Sequence, residues 1–236
     1  MTLEEFSDRF DVMLSSYSLR SIAGDIEFDE YEKSLFLTKA QQELAISFYN
    51  GRNPYGEAFE GTEEIRRYLA NLVEEKTLNP ITTTNGKPLG VSSKSKFFTL
   101  PENVWFLTYE AVTVSDGKCP GNSTLRVYPV KQDEYQTIKD NPFRGANDRR
   151  ALRLDLSKGN IEIVCKYTVS SYFIRYIKRL PPIILIDLPD GLTIEKASTA
   201  SECILHEALH QRILDMAVQL ALQSKGYSSS NENKDK

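Results

Sequence analysis

The residues best suited to chemistry are His206-Glu207-Ala208-Leu209-His210. Two imidazoles one helical turn apart can hold a zinc ion, and a glutamate between them can act as general base on the bound water. Zinc hydrolysis needs a third protein ligand. In one version of the pattern a glycine and a further histidine follow, but those positions hold Ile213 and Met216. In another a glutamate lies further on, and the residue at that distance is Glu232, in a polar terminal stretch. The chain has no other histidine, and Cys119, Cys165 and Cys203 lack a C-x-x-C spacing. The pentapeptide is therefore read as part of a packed C-terminal helix, with Leu209 on the core stripe and Glu207 facing solvent. A zinc-dependent hydrolase through His206 and His210 is the lesser alternative. No catalytic residue, cofactor or metal is expected, and the chain is not expected to be an enzyme.

Other chemistry is harder to place. The sequence has no G-x-G-x-x-G, no phosphate-binding P-loop and no G-x-S-x-G elbow. Charge is informative instead. Residues 1–76 hold sixteen acids against eight bases, while the whole chain carries a net charge of only −4. The balance shifts in 144–179, where Arg144, Arg149, Arg150, Arg153, Lys158, Lys166, Arg175, Lys178 and Arg179 face only Asp148, Asp155 and Glu162. Such asymmetry suits nucleic acid, or a contact in which one copy's basic surface meets another's acidic one. Tyr167, Tyr172, Phe173 and Tyr176 interleave with these cations and could stack on single-stranded bases. Nucleic-acid binding through 144–179 is thus one alternative. Solvated sheet faces are the bland one.

The elements that must position these residues begin with helices. Thr2 and Glu5 form a capping box ahead of Leu3, Phe6, Phe10, Met13 and Leu14. After a break at Ala23-Gly24-Asp25, Asp29 caps a helix whose stripe includes Leu37, Ala40, Leu44 and Phe48, with Gly51 at its end. A third helix from Thr62 is expected to carry Ile65, Tyr68, Leu69, Leu72 and Val73 on one face. The period then changes to that of strands over 104–114 and 124–130, followed by a short helix over 132–139. A hairpin follows, Leu152-Leu154-Leu156 turning through Ser157-Lys158-Gly159-Asn160 into Ile161-Ile163-Cys165. Further strands are expected at 172–179 and 183–187, and a final helix over 205–224 ending at Gly226. The fold class expected is α+β, with N-terminal helices, a central antiparallel β-sheet and a C-terminal helix.

This organisation predicts a helical region over 1–78 and an antiparallel β region over 79–190. A linker and C-terminal helix over 191–226 would pack on the N-terminal helices, and 227–236 would be a disordered polar tail. A chain of 236 residues can bury a core without staples. The acidic start, Thr2-Leu3-Glu4-Glu5, is unlike a secretory signal. No apolar run is long enough for a membrane helix, so no membrane partner is expected. The sparse cysteines are read as reduced thiols.

Several stretches together resemble the ring (connector) proteins of the head-to-tail neck in crAss-like, podovirus-type phages. They are 31–41, YEKSLFLTKAQ; 59–69, FEGTEEIRRYL; 100–105, LPENVW; 141–144, NPFR; 149–154, RRALRL; and a last helix with His210, Ile213, Ala217, Val218, Gln219, Leu220 and Ala221. Of the two histidines only His210 belongs to that pattern, and the proline common near the start of its last helix is missing here. The resemblance implies a virion protein, made in the host cytoplasm, that stacks as a ring of twelve copies between portal and tail. Its partners would be copies of itself, the portal and neighbouring tail or ring proteins, with non-specific contact to genomic DNA in the lumen. Arg144, Arg149, Arg150, Arg153, Arg175, Lys178 and Arg179 are the expected interface residues.

Overall fold

The computed structural model describes residues 1–18, 27–53, 56–81, 95–115 and 123–225; Ala23-Gly24-Asp25, Cys119, Gly226 and the 227–236 stretch lie outside them. The first elements are α1 (Leu3–Ser18), α2 (Glu30–Tyr49), α3 (Glu63–Tyr68), β1 (Val73–Leu78), β2 (Lys96–Thr99) and β3 (Val104–Ser115). Then come β4 (Ser123–Val130), α4 (Gln132–Ile138), β5 (Arg150–Asp155), β6 (Asn160–Val164), β7 (Thr168–Lys178) and α5 (His210–Ser224). This is the expected α+β class. The chain divides into two units, Met1–Leu72 with Leu180–Lys236, and Val73–Arg179.

The first unit is helical. Its caps are those the sequence predicts: Thr2 and Glu5 bond reciprocally at 3.2 and 3.0 Å, and Asp29 and Glu32 form a second capping box. Gly51, just past α2, takes φ 73°, which a side chain would resist. Phe6, Phe10 and Leu14 of α1 pack with Leu37 and Phe48 of α2 and Ile213, Leu214 and Val218 of α5, all essentially buried. Each such side chain contributes about 1.5–3 kcal/mol on burial. Lys33 ties α2 to α1, its ammonium 2.6 Å from Asp11 and 2.9 Å from Glu30.

Two expectations fail here for physical reasons. The third helix stops at Tyr68, and after a 3-10 turn over Ala70–Leu72 the chain becomes β1. Backbone pairing of Val73–Leu78 along β7 overrides the helical spacing. Residues 183–187 form no strand but only an isolated bridge, Ile184 to Ser201. Their backbone is satisfied largely by the polar stripe of α2. Thr38 Oγ1 donates to the Ile183 carbonyl at 3.2 Å and accepts from the Ile183 N–H at 3.0 Å. Ser34 Oγ accepts from the Leu185 N–H, and Gln41 donates to the Pro181 carbonyl. Ser34, Thr38 and Gln41 are almost fully buried, and their spacing of four and three residues puts them on one face.

The second unit is one seven-stranded sheet, ordered β1-β7-β3-β4-β5-β6-β2. All pairs are antiparallel except β4 and β5, which run parallel. The expected all-antiparallel sheet is thus a mixed one. The connection over 131–149, which contains α4, is long enough for a crossover. One face carries the main core, including Phe98, Val112, Ile161, Ile163, Tyr172 and Ile174. The chain leaving β1 bonds the opposite edge, the Ile81 N–H donating to the Phe97 carbonyl at 2.8 Å. The sheet is therefore curled around that core. α4 covers part of the other face, packing Tyr135 and Ile138 on Leu152, Leu154 and Val164.

Candidate functional site

The segment that could have bound zinc does not form one helix. His206 lies at φ −57°, ψ 137° and caps a 3-10 turn over Glu207–Leu209, its Nδ1 accepting from the Ala208 N–H at 3.2 Å. α5 begins only at His210. His210 is 7% exposed, with Nε2 3.1 Å from the Leu205 carbonyl oxygen and Nδ1 2.8 Å from the Met1 nitrogen. A carbonyl can only accept, so Nε2 carries the hydrogen and Nδ1 accepts. Neither nitrogen is left for a metal. Burial lowers the pKa of His210 below the ordinary imidazole value. The zinc alternative therefore fails on geometry. Among the described residues no three His, Cys, Asp or Glu side chains are grouped to hold a metal.

The basic segment divides into cations used inside the unit and cations that face out. Arg153 turns inward. Its Nη1 lies 2.5 Å from Glu110, and Tyr172 donates to the other oxygen of that carboxylate. Burial, then the Glu110 charge, push the Tyr172 phenol far above its ordinary pKa, so it stays a donor. Lys178 lies 3.0 Å from Glu74, which also accepts from Tyr176 and is held below the usual carboxylate range by those bonds. Arg175 sits 3.9 Å from Glu75. Arg150 stacks on Tyr128 at 4.3 Å and donates to the Phe143 carbonyl. Arg144, Arg149 and Arg179 are exposed. Tyr172 and Tyr176 are at most 2% exposed and cannot stack on bases.

Sequence reasoning missed the surface feature with the most definite geometry, the loop after α4. The Asn141 side chain accepts from the N–H groups of Phe143 (2.8 Å) and Arg144 (3.1 Å). The Gly145 N–H donates to the Asn141 carbonyl at 2.7 Å, and Asn147 donates to the Pro142 carbonyl. A Cβ on Gly145 would lie 2.7–3.0 Å from the carbonyl oxygens of Asn141, Lys139 and Ile138, so only glycine fits. This rigid turn holds Phe143 83% exposed. The signal was in the sequence as N-P-F-R-G, a turn signature with an aromatic at its tip.

With the geometry in hand, comparison with known proteins is direct. A family model described as phage tail ring protein 3/4 matches residues 1–233. "Ring protein 3" of Bacteroides phage crAss001 is 48% identical over 235 residues, covering 98% of this chain and all of that protein. "Ring protein 4/5" of the same phage is 28% identical over 230 residues, covering 94% and 92%.

Proposed function

The chain belongs to the phage tail ring protein 3/4 family, and on that premise we propose that copies of it close into a ring within the head-to-tail connector of the virion. The ring of twelve, the place between portal and tail, and a lumen that passes the genome are parts of this proposal.

The observation that carries it is the separation of charge between the two units. Met1–Leu72 with Leu180–Lys236 holds 22 acids and 12 bases, a balance of −10; Val73–Arg179 holds 11 and 17, a balance of +6. A closed ring needs a heterologous contact, in which two different surfaces of one chain meet on neighbouring copies. Opposite charge on two units of one chain supplies that complementarity and steers the encounter. Arg144, Arg149 and Arg179 are the exposed members of the proposed interface, while Arg150, Arg153, Arg175 and Lys178 shape it through internal contacts. The nucleic-acid alternative loses two of its four stacking residues, Tyr172 and Tyr176, so contact with DNA in the lumen would be chiefly to phosphates.

The test is native mass spectrometry and negative-stain microscopy of the purified chain, with its detection in purified particles. Closed rings that loosen as salt is raised are expected. A chain that stays monomeric at high concentration and is absent from particles would overturn the reading.

A further inference from the structure

Phe143 is the most exposed large apolar side chain among the described residues, at 83%, and the loop that carries it is built to be stiff. A stiff aromatic knob loses little entropy when it is seated, which is why such residues dominate interfaces. Arg144 and Arg149 flank it on the same loop, exposed and with no side-chain partner among the described residues. A surface that fits this knob has an apolar spot ringed by carboxylates.

α1 presents a surface of this kind, an apolar spot at Val12 with carboxylates along one side of the helix and the exposed Arg9 beside it. Phe6, Phe10 and Leu14 form its buried face, so Glu4, Asp8 and Val12, each two residues earlier, lie on the opposite side one turn apart. All three are exposed, and Val12, at 67%, is the second most exposed large apolar residue. We infer that the Phe143 knob of one copy seats on Val12 of α1 in the neighbouring copy, with Arg144 and Arg149 facing Glu4 and Asp8. This rests on the ring reading and deepens it by naming the contact. Knob and seat are different surfaces of one chain, as a closing ring requires.

Four chains decide it by native mass spectrometry: wild type, R144E/R149E, E4K/D8K, and the chain with all four changes. Wild type should close rings. Each reversed pair alone should weaken self-association by roughly 100-fold, because like charges then meet. The chain with all four changes should close again. A mixture of the two singly reversed chains should assemble with the two alternating, since each chain's knob is then complementary only to the other chain's seat. F143A, which keeps every charge, should weaken assembly roughly 30-fold or more. Thermal melts check that each variant folds. If wild type closes and the reversed chains close equally well, the docking is wrong while the ring stands. If the reversed pairs fail and the fourfold change does not rescue them, α1 is not the seat. A wild-type chain that never assembles overturns both readings.

Discussion

Arg153 Nη1 lies 2.5 Å from Glu110 Oε1, with the side chains 11% and 9% exposed. The pair spans two strands that are not neighbours, since β4 runs between β3 and β5. Tyr172, from β7, completes the group. Removing Glu110 leaves the buried Arg153 only the exposed Asp155, 2.9 Å from its Nε, at a cost of about 3 kcal/mol, the low end for a broken buried pair. Glu110→Gln is therefore expected to lower the unfolding free energy by that order, read as a fall in the urea midpoint. Glu110→Leu with Arg153→Met and Tyr172→Phe, which leaves no buried polar group of the cluster unpaired, should recover most of it. An unchanged midpoint in Glu110→Gln would mean that solvent already screens the pair.

Glu110 also shows where the sequence misleads. Alternation along β3 suggests that Glu110 is a polar residue facing out. The register instead shifts between Leu107/Tyr109 and their β7 partners. A bulge inserts one residue and reverses which side chains face the core beyond it. Thr108 fills the irregularity by donating to the Arg175 carbonyl at 2.9 Å. Capping boxes and the β5–β6 hairpin were legible because their signals lie within a few residues. β1, the parallel β4–β5 pair and the inward turn of Arg153 were not, because each depends on a distant strand. The exposed Phe143 was visible in the sequence only as a turn.

His210 gives a pH dependence of definite sign. Its pKa is lowered in the folded chain, first by burial, so the folded state holds the ring neutral. An unfolded imidazole titrates at about 6.5. Between the lowered folded value and that unfolded value the unfolded chain binds more protons. The contribution of His210 is therefore fully present above the unfolded pKa and is lost as pH falls through the folded one. Stability against urea should decline from near neutrality downward, and the decline should shrink in His210→Gln. NMR titration of His210 would give the lowered value directly; a value at or above the unfolded one would reverse the sign.

Glu195 and Lys196 occupy the turn between Ile194 and Ala197 with φ of 52° and 71°. Both values lie in the left-handed region, where side chains other than asparagine and glycine are strained. Asn-Gly is the pair such a turn prefers. Glu195→Asn with Lys196→Gly is expected to stabilise the chain by about 1 kcal/mol, a rise in Tm of ~2–4 °C. Glu195 also accepts a hydrogen bond from Gln42. Gln42→Ala as a control separates loss of that bond from relief of the backbone, and a Tm that falls in the double variant but not in the control would show that the turn is not strained.

Thr38 makes the strongest case that a side chain can replace a strand partner. One hydroxyl serves both backbone groups of Ile183, donating to the carbonyl and accepting from the N–H. Thr38 is 4% exposed and Ile183 fully buried, so water cannot substitute. Valine has the shape of threonine without the hydroxyl. Thr38→Val therefore leaves packing intact and strands a buried N–H and a buried carbonyl, each at about 1–3 kcal/mol. Thr38→Ser, which keeps both bonds, should cost far less. The contrast matters because Thr→Ser removes more apolar volume than Thr→Val. If packing governed this site the serine variant would be the weaker; if the hydroxyl governs it, the valine variant is. Amide hydrogen exchange at Ile183 reads the same bond locally, and should quicken in Thr38→Val while Ile213, in α5, keeps its protection.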